Sequence, residues 1–177
     1  MVVLILASSI NNYEIQSVEG KQDKYIMGRL TKGVDLLDGL LEVCKRHGVT
    51  AATFSCIGSL QQVGYVQPQL NENKQLEFTE PKIIKKPAEL LSGNGFIGFG
   101  ENGYLDIHFH GVYVDVDGQI SGGHFLRGEN PTAVTVEFAI QSTNDIYLKR
   151  ERDKILNMPV FNFYKEDEPD GNFGQSS

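Results

Sequence analysis

Three of the four histidines fall between positions 108 and 124, as His108-Phe109-His110 and then His124 behind Gly122-Gly123. Neutral imidazole nitrogen is a ligand for Zn²⁺ and other divalent transition metals, and three such ligands leave a coordination position open for water or a small ligand. Residues two apart in a strand share a face, so His108 and His110 project together. Between them and His124 lies Val116-Asp117-Gly118, a turn signal with glycine where a three-residue hairpin loop needs a left-handed residue. That loop length sets Asp115 against Gln119, Val112 against Gly122 and His110 against His124, with His108 diagonal to His124. A two-residue loop would invert the strand and send His124 to the other face. Opposed Cβ atoms lie about 5 Å apart and diagonal ones about 7–8 Å, within reach of one shared ion. The residues also allow a row of half-exposed cross-strand histidines that hold nothing.

Around this group, Gly122 and Gly123 are expected to leave space for a ligand. Glu137 alternates away from an apolar face made by Val134, Val136, Phe138 and Ile140, and reads as a fourth ligand, a general base, or a solvated or subunit-facing carboxylate. His47 reads as a helix C-terminal cap, outside the group. No catalytic residue is assigned, because no serine sits in a nucleophile elbow and Asp115 and Asp117 belong to the turn. Gly93, Gly95 and Gly98 spell the dinucleotide fingerprint, but a strand-like run follows where a helix N-terminus is required, so no nucleotide cofactor is expected. Gly58-Ser59 reads as a strand-to-strand turn. Cys44 and Cys56 read as buried hydrophobes.

The elements that must position the histidines can be read from periodicity. Leu37, Leu40, Leu41 and Cys44 form one stripe of a helix from Val34 to His47, with Asp35 in its first turn, Lys45 and Arg46 in its last, and Gly48 as its stop. Short runs rich in β-branched and aromatic residues predict strands over 25–30, 51–57, 62–67, 75–78, 82–84, 90–99, 104–114, 119–126 and 132–142. One strong helix among many strands predicts an antiparallel sheet. Its apolar edge and face at Val112, Val114, Ile120 and 132–140 exceed what one helix covers, which predicts self-association.

The 177 residues suit one domain, and 40% hydrophobic with 22% charged residues is ordinary globular composition. A net charge of −7 is a poor footprint for neutralising phosphates. The basic runs Lys82, Lys85, Lys86 and Lys149, Arg150, Arg152 are flanked by acids and read as solvated faces. No apolar run approaches the roughly 20 residues of a membrane span. Met1 to Ala7 is apolar but short for an export signal and has no basic residue before it, so a cytoplasmic protein is expected. The stretch from Lys165 onward is acidic and polar, with Phe173 as its anchor.

The ordered set Gly28-Arg29-Leu30 with Gly33 and Asp35, Ile57-Gly58-Ser59-Leu60, Glu89-Leu90-Leu91-Ser92-Gly93, the His-x-His pair, Asp117-Gly118, and Gly122-Gly123-His124-Phe125-Leu126 with Gly128 resembles the plants-and-prokaryotes conserved (PPC) domain. The resemblance spans residues 22–142, leaving 1–21 as an N-terminal segment and 143–177 as a C-terminal extension. It implies an α+β fold, a mainly antiparallel β-sheet flanked by one or two helices, assembled as a homotrimer. It also implies a metal site, zinc or another divalent transition metal, at His108, His110 and His124. The same architecture looks like that of acetolactate decarboxylase, which implies as one alternative a metal-dependent lyase or hydrolase acting on a small oxo acid. Plant members accompany AT-hook motifs and prokaryotic ones carry a DNA-binding label, which implies a transcriptional regulator as another. This chain has no Arg-Gly-Arg-Pro hook. The expectation is a metal-binding homotrimer of unassigned activity, with a small molecule as a candidate ligand, no nucleic-acid partner and no membrane.

Overall fold

The expected apolar stripe is buried on α1 (Leu36–His47): Leu36, Leu37, Leu40, Leu41 and Cys44 all face the core. The helix starts later than its periodicity suggests. Asp35 is its N-cap, accepting from the backbone N–H groups of Leu37 and Asp38 at 3.0 and 3.1 Å, and not a first-turn residue. Gly48, at φ 62°, ends it, with Gly48 and Val49 donating back to the carbonyls of Lys45 and Cys44. The computed structural model describes residues 16–154 and 157–165. The expectations for Met1–Ala7 and Phe173 therefore lie outside the described residues.

The strands are β1 (Gln22–Thr31), β2 (Ala51–Leu60), β3 (Val63–Val66), β4 (Pro68–Leu70), β5 (Leu76–Phe78), β6 (Lys82–Ile84), β7 (Ala88–Phe99), β8 (Leu105–Asp115), β9 (Ile120–Phe125), β10 (Thr132–Thr143), β11 (Ile146–Arg152) and β12 (Pro159–Lys165). The main sheet runs β1-β10-β2-β7-β8-β9-β3-β6, antiparallel throughout, while β4 and β5 form a separate hairpin. With one α-helix among the described residues, the fold is the α+β, mainly antiparallel one expected.

One face of the sheet meets α1. Phe54 and Cys56 of β2, Leu90 and Ile97 of β7, Phe109 and Tyr113 of β8, and Val136, Phe138 and Ile140 of β10 share a core with the helix leucines. Asp35 also ties that helix to the segment after β9, since its second carboxylate oxygen accepts from the Asn130 backbone at 2.8 Å. Buried Asn130 in turn accepts from Gly64 N–H at 2.9 Å. Asn130 thus joins helix and sheet through satisfied hydrogen bonds, while the Oγ1 of buried Thr132 beside it has no partner among the described residues.

Two sequence expectations are corrected here. Gly58 and Ser59 lie within β2 and make no turn: the β2–β10 register shifts between Thr132 and Val136, and Gly58, opposite Val136, takes φ 143°. That irregularity also removes Val134 from the apolar face, where its neighbours Val136, Phe138 and Ile140 stay; Val134 is 70% exposed. Three strands had no sequence assignment: β4, β11 and β12.

Candidate metal centre

Alternation along β8 decides which way the histidines face. Ile107, Phe109, Gly111 and Tyr113 point into the core, so His108, His110 and Val112 project from the opposite face of the sheet. The hairpin to β9 has the three-residue loop that its residues require. Gly118 takes φ 76°, Asp115 N–H donates to the Gln119 carbonyl at 3.0 Å, and Asp115 Oδ1 accepts from the backbones of Asp117 and Gln119 at 2.9 Å each. His110 consequently pairs with His124 and Val112 with Gly122.

The three imidazoles converge. Ring centroids are 4.9 Å apart for His108–His110, 5.0 Å for His108–His124 and 5.4 Å for His110–His124. One nitrogen from each lies within 4.8 Å of the others, and among the described residues no other group of three or more His, Cys, Asp or Glu side chains gathers in this way. His108 Nε2 and His110 Nε2 are 3.1 Å apart, close to the ~3.3 Å separating two nitrogens on a tetrahedral ion with bonds of ~2.0–2.1 Å. Burial holds His124 in its neutral form, helped by the neighbouring His108 and His110 and by Arg150, and lowers its pKa to about 4. His108 is shifted the same way, again first by burial and then by His110 and Arg150. Neutral imidazole is the form a metal requires.

Glu137 is on the same face but does not join the group within one chain. It sits on β10, three strands from β8 and opposite Ile57, roughly 14 Å away at ~4.8 Å per strand. His47 ends α1 and accepts at its carbonyl from Lys24 Nζ at 2.8 Å. Nor do Gly122 and Gly123 serve to leave ligand space. A Cβ on Gly122 would stand 2.2 Å from the Gly111 carbonyl oxygen and one on Gly123 2.4 Å from that of Val66, so close backbone approach is what excludes side chains. The fingerprint glycines Gly93, Gly95 and Gly98 lie inside β7, against Phe109, Phe54 with the His108 carbonyl, and Leu148.

The family model for the Plants and Prokaryotes Conserved (PCC) domain matches residues 17–144. The chain belongs to that family. Its fold is shared with a metal-containing protein from Archaeoglobus fulgidus at 22% identity and TM-score 0.70, covering 83% of this chain and 99% of that one. A PPC protein from Pyrococcus horikoshii matches at 22% identity and TM-score 0.67, covering 85% and 99%. A protein from Bacteroides thetaiotaomicron, provisionally described as DNA-binding, matches at 17% identity and TM-score 0.64, covering 81% and 97%. No curated protein matches the chain.

Past the end of the PCC match, the hairpin β11–β12 returns to the site. It touches the sheet by a parallel bridge between Lys149 and Phe99 of β7, and Gly98 admits Leu148 where a Cβ would come within 2.5 Å. The hairpin walls a cavity of about 670 Å³ that reaches His108 and His124, with Phe96 and Phe163 edge to face at 5.6 Å and Phe78 of β5 6.1 Å from the His124 ring. Arg150 lies in this wall. Its Nε is 2.7 Å from Asp106 Oδ2, Nη2 donates to the Ile107 carbonyl at 3.3 Å, and the guanidinium lies 4.6 Å over the Phe161 ring. His110 instead borders a second cavity of about 320 Å³ with Ser92 and Asn94. Nothing in the sequence periodicity of β8 and β9 indicates this wall.

Proposed function

We propose that this PCC-domain protein binds one divalent transition metal ion, zinc by the chemistry of its donors, through His108, His110 and His124. The observation that carries the reading is the convergence of three imidazole nitrogens within 4.8 Å. Two of the three rings are held neutral, and all-nitrogen donors select zinc and its neighbours over magnesium or calcium. A bound ion would supply a Lewis acid able to polarise an oxygen of a ligand. This chain's residues hold the imidazoles in register, keep those of His108 and His124 deprotonated and border the site with an apolar wall.

Elemental analysis of untagged protein is expected to find about one ion per chain, as a three-histidine site predicts. Acid should release it, because protons and metal compete for the same nitrogens. Since the pKa of His124 is depressed to about 4 and that of His108 is also lowered, release should extend below the ordinary histidine range near pH ~6.5 and be complete only toward pH ~4. Metal-free preparations, or full release already at neutral pH, would refute the assignment.

The assembly we propose is a homotrimer built on the histidine-bearing face of the sheet. Met27, Ile57, Leu91, Val112, Ile120 and Val134 stand exposed there, large apolar side chains that association would remove from water. Light scattering should give three times the chain mass, and Ile57→Lys should shift the particle toward monomer. A parent protein that is monomeric at micromolar concentration would refute the trimer.

The DNA-binding description of one neighbour supports a second reading, and the charge arrangement opposes it for this chain. Lys86 pairs with Asp117, Arg150 with Asp106 and Lys149 with Glu151, so three of the six basic residues in the two runs already face a carboxylate partner. Among the described residues no helix is long and apolar enough to cross a membrane. At physiological salt an anisotropy titration should show no duplex binding. Micromolar affinity that weakens with added salt and with Lys85→Glu plus Lys86→Glu would restore the regulator.

A further inference from the structure

The wall of the 670 Å³ cavity restricts what can enter it. Apart from His108, His124 and Arg150, every lining residue is apolar, and the wall contains no hydroxyl, amide or carboxylate side chain. A sugar or nucleobase would bury several polar groups without partners, at a cost its apolar contacts would not offset. An amine would meet Arg150. An anionic head on an apolar body meets a guanidinium at one place and Phe78, Phe96, Val160 and Phe163 elsewhere, and the volume is that of an ordinary small-ligand site.

Arg150 is held for such a role. Its side chain is only 16% exposed, the Ile107 carbonyl and Phe161 orient its guanidinium beside Asp106, and its planar fork matches a carboxylate. With a divalent ion on the histidines, the positive charge here exceeds the single compensating charge of Asp106. We infer that the cavity between the histidine sheet and the hairpin β11–β12 binds a monocarboxylate with an apolar body of aromatic size, its carboxylate recognised by Arg150. The inference rests on the metal reading for its second positive charge and on Arg150 for its specificity.

The test is calorimetric titration of the full chain, with zinc content measured separately by elemental analysis, using 3-phenylpropionate and the matching uncharged 3-phenylpropanamide. The acid should bind about tenfold or more tightly than the amide, the usual worth of a charge-assisted pair. Arg150→Gln should cut that preference severalfold, leaving only what the ion's own charge supplies, without changing zinc content. Asp106→Asn, which leaves Arg150 uncompensated, should strengthen the acid, while Val160→Trp should fill the cavity and weaken acid and amide alike. Equal affinity for acid and amide in zinc-loaded protein, or an Arg150→Gln variant with parental acid affinity, overturns the proposal. If the chain takes up no zinc, the metal reading fails by elemental analysis alone. The same titration on that metal-free protein then decides the role of Arg150: an acid preference that Arg150→Gln removes sustains it, and none overturns it.

Discussion

Replacing His124 by alanine should bring the metal content from about one ion per chain to near zero, because two remaining imidazoles are a poor site for zinc. His124 is the histidine that the hairpin loop delivers from β9, and its ring stands against both other histidines and Phe78. The metal-free fold should survive. Removing a partly buried ring outside the helix-facing core is expected to change stability by about 1 kcal/mol or less in the absence of metal. His110→Ala should behave in the same way, whereas His47→Ala, at the far end of α1, should keep the parental metal content. Thermal melts with and without a chelator supply a second readout: the parent should melt lower with chelator, and His124→Ala should melt at the same temperature with and without it. Unchanged metal in His124→Ala would place the site elsewhere.

The largest effect on stability should come from the residue between the two β8 histidines. Phe109 is 1% exposed, stacks on Phe54 at 5.7 Å and meets Phe125 edge-on at 5.1 Å. Gly93 lies directly against it, where a Cβ would come within 2.2 Å of the ring. Phe109→Ala should therefore cost about 3–5 kcal/mol, a large share of the ~5–15 kcal/mol that holds a domain folded. Because His108 and His110 flank that ring on the opposite face, loss of its packing should also loosen the ligand pair. Denaturant midpoints and zinc affinity should fall together, and Phe109→Leu should be milder in both. A stability loss below about 1 kcal/mol would show that the core collapses around the gap more readily than close packing allows.

How much of this was legible in the chain follows from how local each determinant is. The stripe Leu37, Leu40, Leu41 and Cys44 places α1, and strand alternation places His108 and His110 on one face. The loop Val116-Asp117-Gly118 brings His124 opposite His110, since loop length and side-chain period are set within a single hairpin. The family likewise followed from an ordered set of residues, and the family model bears it out. What surrounds the histidines was decided at longer range. β11 carries Lys149-Arg150-Glu151-Arg152 and so hides its alternation, although Val160-Phe161-Asn162-Phe163-Tyr164 of β12 had the β-formers to reveal its partner strand. The closeness of that hairpin to His108 and His124 depends on contacts between β11 and β7, some fifty positions apart in the chain, where Gly98 admits Leu148. The bulge at Gly58 turned Val134 out of the apolar face, and three intervening strand spacings set Glu137 apart from the histidines. Burial of His124 in its neutral form belongs to the same level, because desolvation is a property of everything packed around a ring and not of its neighbours in sequence. Local periodicity thus brought the three histidines together, while tertiary packing decided their electrostatics and their cavity.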